Sequence, residues 1–187
     1  MGYKKEFQES IENPEKFWRK QAELIKWYEF PNTILSEDEN GFYHWFKGGK
    51  LNTSYLLLDH HVECGRGDQT ALIYDSPVTN SQRKFSFKEL LEEVAKFAGV
   101  LRVKGIEKGD RVIIYMPMIP EALVAMLACA RLGAIHSVVF GGFAPKELAI
   151  RIDDAKPKVL LTASCGIEFT NVVEYKPLVD EALRLSK

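Results

Sequence analysis

The residues in this chain best suited to chemistry are Phe140-Gly141-Gly142-Phe143. They end a short apolar run that starts at His136 and precede a helical pattern, which puts them at the carboxyl end of a strand. Ligands of open α/β sheets bind at that edge, and paired glycines let a small molecule approach bare main chain. That is binding chemistry. A tight strand-to-helix turn accounts for the same glycines, and the residues alone leave both readings open. The adjacent His60 and His61 make a poor metal site, because neighbours one apart do not share a helical face and no HExxH-type spacing supplies a third ligand. They read as half-exposed helix-end histidines. Cys64, Cys129 and Cys165 are an odd set without CxxC spacing, which argues against a disulfide framework or a zinc site and for a reducing compartment.

The elements that must carry the Gly141-Gly142 edge come next. Val112 to Met116, His136 to Phe140 and Val159 to Thr162 are continuous apolar runs, each followed by a helical pattern. Continuous runs suit strands covered on both faces, and the helices suit right-handed crossovers, so the unit reads β-α-β-α-β in a parallel sheet. Ala122 to Ala130 is apolar on nearly every face, between Pro120 and Gly133, and predicts a helix buried between layers. Upstream, Ser86 and Glu89 have capping-box spacing, and Leu90, Leu91, Val94, Phe97, Ala98 and Leu101 predict a helix over about 87–103. Thr70 to Tyr74 and Lys84 to Phe87 read as a hairpin at a sheet edge. Asn52 to Cys64 reads as a helix ending near Gly65. Ser164 to about Val173 reads as a polar loop before a last helix near Pro177 to Leu185.

The 187 residues suffice for one or one and a half domains with a real core. Basic and acidic side chains number 25 and 26 without a long run of either sign, so nothing advertises nucleic acid or an anionic membrane as a partner. No apolar signal segment follows Met1, Glu6 stands where a myristoylation signal wants Ser or Thr, and the longest apolar stretch is far below a membrane span. The chain as given therefore reads as cytoplasmic. Without a secretory signal, Asn52-Thr53-Ser54 is not read as a glycosylation site. Residues 3–29 suggest two short helices, the second about 14–26 with Pro14 at its first position. Residues 30–50 read as an aromatic-rich loop with a hairpin strand, Phe42 to Phe46, turning at Gly48-Gly49.

Lys84-Phe-Ser-Phe-Lys-Glu-Leu90, Lys108-Gly-Asp-Arg-Val112, Met116-Pro-Met-Ile-Pro-Glu121, Arg131-Leu-Gly-Ala134 and His136-Ser-Val-Val-Phe-Gly-Gly-Phe143 closely resemble AMP-forming short-chain acyl-CoA synthetases of the acetyl- and propionyl-CoA synthetase group. Trp18, Trp27 and Trp45-Phe-Lys-Gly-Gly-Lys-Leu-Asn52 resemble the amino-terminal extension of that group. Tyr74-Asp-Ser-Pro-Val-Thr79 and Thr162-Ala-Ser-Cys-Gly-Ile-Glu168 look more like the propionate-preferring branch. The resemblance implies an amino-terminal extension over 1–62 and the first part of an AMP-binding domain over 63–187. The implied fold is an α/β parallel sheet with flanking helices, the incomplete large domain of an adenylate-forming enzyme, preceded by a helical and aromatic arm.

By the same resemblance, the activity is conversion of propionate or acetate with ATP and Mg²⁺ to an acyl-adenylate, then acyl transfer to CoA. The Gly- and Ser/Thr-rich triphosphate loop, the carboxylate pocket and the lysine-bearing carboxy-terminal domain of the family do not occur before Lys187, so no catalytic residue falls within this sequence. The remainder of an enzyme chain is the expected partner. What carries over is a CoA edge at Phe140, Gly141, Gly142 and Phe143. Asn171 stands in the loop where relatives carry an arginine for the CoA 3′-phosphate, beside the acidic Glu168, and Leu56 to His60 stands where relatives carry Asn and Arg. The alternative is a non-catalytic module that keeps weak CoA or nucleotide binding or pairs with a full-length enzyme. The resemblance also leaves the mitochondrial matrix open as the location.

Overall fold

The computed structural model describes residues 2–168 and 170–187, apart from the side chain of Glu168. It divides the chain into two compact units, Met1–Asn52 and Thr53–Lys187.

In the first unit, helices α1 (Tyr3–Glu12) and α2 (Pro14–Ala22) break at Asn13, where Pro14 restarts the helix. α2 stops four residues short of the expected end. Its last carbonyl, on Ala22, accepts the Trp27 indole N–H at 2.9 Å instead of continuing the helix. Strands β1 (Thr33–Glu37) and β2 (Tyr43–Lys47) pair antiparallel, with Leu35 opposite Trp45. The expected turn at Gly48-Gly49 is wrong: the hairpin turns at Asp38–Phe42, before the aromatic run. The Asp38 carboxylate accepts from the amides of Asn40 (2.9 Å) and Phe42 (3.0 Å), an Asx arrangement that closes the turn. Trp18 meets Trp45 edge-on at 5.6 Å, and Trp27 lies 5.5 Å from Phe46, so the arm's aromatics pack on one another.

The second unit opens with π-helical turns at Tyr55–Asp59 and Val62–Arg66, near where a helix was expected. His60 and His61 are half-buried there, His61 against the Phe87 ring at 4.4 Å. Strands β3 (Thr70–Ser76) and β4 (Ser81–Ser86) form the expected hairpin. It is a two-stranded sheet of its own rather than an edge of the parallel sheet. β4 runs directly into helix α3 (Phe87–Val103), whose direction it must follow. The capping box at that junction is complete: the Glu89 amide donates to the Ser86 hydroxyl (3.2 Å) and the Ser86 amide to the Glu89 carboxylate (2.8 Å).

Strands β5 (Arg111–Tyr115), β6 (Ile135–Val139) and β7 (Val159–Thr162) form a parallel sheet in the order β6-β5-β7, joined through helices α4 (Pro120–Leu132) and α5 (Pro145–Ala155). Because the two crossovers leave in opposite directions, their helices lie on opposite faces. Val112 and Ile114 of β5 face a core built with α3 and α4, and Ile113 and Tyr115 face a second core with α5 and α6 (Tyr175–Leu185). Every residue of α4 from Ala122 to Leu132 is at least half-buried, as its apolar circumference requires. Burial on both faces holds for β5 only. In β6, Ile135 is 56% and Val138 52% exposed although they point to opposite faces, because β6 is an outer strand covered fully only near Val139.

The expected polar loop after β7 is instead a hairpin, β8 (Cys165–Glu168) with β9 (Asn171–Glu174). Among the described residues no helix is long and apolar enough to cross a membrane.

Candidate functional site

Phe140-Gly141-Gly142-Phe143 forms a tight turn between β6 and α5, closed by the Phe143 amide donating to the Phe140 carbonyl at 3.1 Å. The two rings stand edge to face, 5.7 Å apart. Phe140 is 68% exposed and Gly142 is open, so a flat ring has both an aromatic face and bare main chain to lie against. Phe143 is half-buried under the Arg151 guanidinium, 4.6 Å above the ring centroid. Arg151 is itself anchored on α5, donating to the Glu147 carbonyl at 3.0 Å.

Two tyrosines support this turn from inside the sheet. The Tyr115 hydroxyl, at the end of β5, donates to the Phe143 carbonyl at 2.8 Å. Tyr175, the first residue of α6 and 2% exposed, packs edge-on against Tyr115 at 5.1 Å. Its phenol lies between two glycines. A Cβ at Gly141 would sit 2.3 Å from the Tyr175 oxygen, and a Cβ at Gly166 would sit 2.6 Å from its Cε2. Neither glycine adopts the left-handed conformation, so both are required by space. Of the paired glycines, then, Gly141 is buried packing and Gly142 is the exposed approach.

Tyr175 also ties the β8–β9 hairpin to the turn, since Gly166 lies in β8 and the Tyr175 amide donates to the Ser164 carbonyl at 3.0 Å. Asn171 stands exposed at the head of that hairpin, opposite Glu168 in register. Phe169, and the Glu168 side chain on which repulsion of a phosphate would depend, lie outside the described residues. Leu56 to His60 lies in the first π-helical turn and the residue after it, where Asp59 pairs bidentately with Arg131 at 2.7 and 3.0 Å. Neither Tyr115 nor Tyr175 was singled out from sequence. A tyrosine ending an apolar run and another opening a helix carry no pattern that marks them as neighbours.

A second concavity of about 410 Å³ lies at the carboxyl ends of β5 and β7, the crevice where the crossovers diverge. Phe85, Phe97, Met116, Val124 and Leu161 are among the residues that line it. At its rim Arg83 pairs with Glu121 and Lys96 with Glu93, both at 3.1 Å, so the charges there are matched. Among the described residues no group of three His, Cys, Asp or Glu side chains is placed to hold a metal ion. Cys129, buried in α4, has its thiol pushed up to about 11 by desolvation.

A parallel sheet wound in both directions, with an open glycine turn at its carboxyl edge, defines an α/β protein of the doubly wound class. The chain belongs to the AMP-binding enzyme family, whose model matches residues 58–186, while residues 3–57 match the acetyl-coenzyme A synthetase N-terminus. It is 60% identical over 186 residues to an uncharacterized protein of Pseudomonas aeruginosa, covering 100% of this chain and 30% of that one. It is 55% identical over 185 residues to the mitochondrial acyl-CoA synthetase short-chain family member 3 of Bos taurus, covering 99% and 27% of the two chains. With the acetyl-coenzyme A synthetase of Shewanella frigidimarina it shares 50% identity over 185 residues, 97% of this chain and 28% of that one. The chain thus spans less than a third of the length of these relatives.

Proposed function

We propose that this chain is the amino-terminal part of an AMP-forming short-chain acyl-CoA synthetase. The reaction joins a carboxylate to ATP, releasing pyrophosphate and forming an acyl-adenylate; the CoA thiol then displaces AMP and leaves the thioester. The names of the relatives support a short-chain acid. Propionate is favoured over acetate by Tyr74-Asp-Ser-Pro-Val-Thr79 and Thr162 to Glu168. The location is the cytoplasm, or the mitochondrial matrix, the second supported by relatives whose name says mitochondrial. ATP and Mg²⁺ are handled by residues beyond this sequence, and the 187 residues alone are inactive.

The share assigned to this chain is the CoA edge. The observation that carries it is the open Gly142 main chain between Phe140 and Phe143, at the carboxyl end of β6. Phe140 and Gly142 meet the adenine end of CoA, Gly141 and Phe143 shape the turn, and Asn171 occupies the place of a phosphate-pairing arginine. Calorimetric titration with CoA and 3′-dephospho-CoA tests this. Gly142→Val should weaken both ligands by filling the approach. Asn171→Arg should strengthen CoA alone, by about ten- to a hundredfold for one charge-assisted phosphate contact. Equal gains for both ligands, or none, refute the assignment. Propionate-dependent pyrophosphate exchange by the isolated chain above a buffer blank refutes its inactivity.

A non-catalytic module that pairs with a full-length enzyme is the second reading. The exposed Ile135 and Val138 of the outer strand β6 and the apolar cavity at the β5 and β7 ends favour it, since both offer surface to another polypeptide. Co-purification with a full-length relative, without CoA binding, selects it.

A further inference from the structure

We infer that Tyr115 and Tyr175 are positioning residues that hold the Phe140–Phe143 turn in its ligand-binding shape, one by a hydrogen bond and the other by filling space. The inference rests on the reading of that turn as the CoA edge. The turn has few internal restraints: one main-chain hydrogen bond closes it, and Phe140 and Gly142 face solvent. Its shape is therefore set from below. Tyr115 fixes the Phe143 carbonyl at 2.8 Å, while the Tyr175 phenol fixes how deep Gly141 can sink toward the sheet. The tyrosines brace each other, ring against ring, and both are buried at 2% exposure or less. Because Tyr175 also abuts Gly166, the same ring sets the spacing between the turn and the β8–β9 hairpin that carries Asn171. Neither tyrosine needs to touch a ligand for this. Each acts through the main chain of a turn-shaping residue, Phe143 for Tyr115 and Gly141 for Tyr175, and so sets how Phe140 and Gly142 are presented.

The test combines amide exchange with titration on the whole chain. The Phe143 amide reports turn closure, and the Val94 amide in α3 serves as the control. Tyr115→Phe keeps the ring and removes the hydroxyl. It should speed Phe143 exchange about tenfold, the change for one ordinary hydrogen bond, and leave Val94 unchanged. Tyr175→Leu should also speed Phe143 by opening space beside Gly141, and adding Gly141→Ala should restore protection by refilling it. CoA and 3′-dephospho-CoA should weaken equally in Tyr115→Phe, since the adenine surface rather than the phosphate contact is disturbed. Unchanged Phe143 exchange in both single variants overturns the inference, as does acceleration that extends equally to Val94. A native chain that gives no heat with CoA refutes the CoA reading alone, and the exchange data still decide whether the tyrosines hold the turn.

Discussion

Alanine placed at Gly99 and at Gly141 should move stability in opposite directions. Gly99 lies inside α3, exposed, with nothing within 4 Å of a new Cβ. Alanine there removes the entropic cost of a mid-helix glycine, a gain of about 0.5–1 kcal/mol. At Gly141 the new Cβ would fall 2.3 Å from the Tyr175 oxygen and 2.9 Å from two ring carbons. The ring cannot swing away, because Gly166 closes its other side and it is 2% exposed. Overpacking of this kind costs about 1–3 kcal/mol. For a chain of this length, 1 kcal/mol shifts the melting temperature by about 2–4 °C. Thermal melts followed by circular dichroism should therefore rise by about 1–4 °C for Gly99→Ala and fall by about 2–12 °C for Gly141→Ala. A Gly141→Ala chain melting within about 1 °C of the native one would mean that the phenol does not fill the space assigned to it.

Three further outcomes follow from the side-chain environments. Cys129 should resist a thiol reagent at pH 8 until urea unfolds the chain, because burial holds its thiol near 11, whereas the exposed Cys64 and Cys165 react at once; three fast thiols would refute this. Asp59→Asn should destabilise by about 1 kcal/mol in urea titration, a charge-assisted bidentate pair discounted for its partial exposure, and no change would mean the pair contributes nothing. The Asp110 carboxyl is held below its usual value by hydrogen bonds from Lys158 first and the Glu107 amide second. Its contribution is then fully present above the ordinary carboxylate range and lost as pH falls through the depressed value. Asp110→Asn should flatten the fall in stability below about pH 4, and an unaltered acid limb counts against the pairing.

Much of the second unit was legible because its signals are local. Ser86 and Glu89 announced the start of α3, and the unbroken apolar circumference of Ala122 to Ala130 announced a helix between layers. β7 was read to the residue, and β5 and β6 were each displaced by one. The β8–β9 hairpin was not legible: Ile167 in one strand and Val172-Val173 in the other are too short to mark strands, and the glycine, Gly166, lies inside a strand. The arm's turn was misplaced because Gly48-Gly49 resembles a hairpin loop, while the side-chain acceptor that makes the real one, Asp38, reads as an ordinary surface acid. The Phe140–Phe143 turn was placed from its glycines, but what divides their roles is Tyr175, 34 residues beyond Gly141 in the chain.

The central strand β5 assigns alternate residues to different cores, Val112 and Ile114 to one and Ile113 and Tyr115 to the other. Such a strand tolerates changes of side chain far better than changes of length. Deleting or inserting one residue between Arg111 and Tyr115, with the start of the strand held in register, exchanges every later side chain between the two cores, sending the Tyr115 hydroxyl into the apolar layer of α3 and α4 and away from Phe143. Length variation among descendants of this sequence should therefore collect in the segments on either side of β5, Glu107 to Asp110 and Met116 to Ile119, where the chain can absorb an extra residue before the parity of the strand is set.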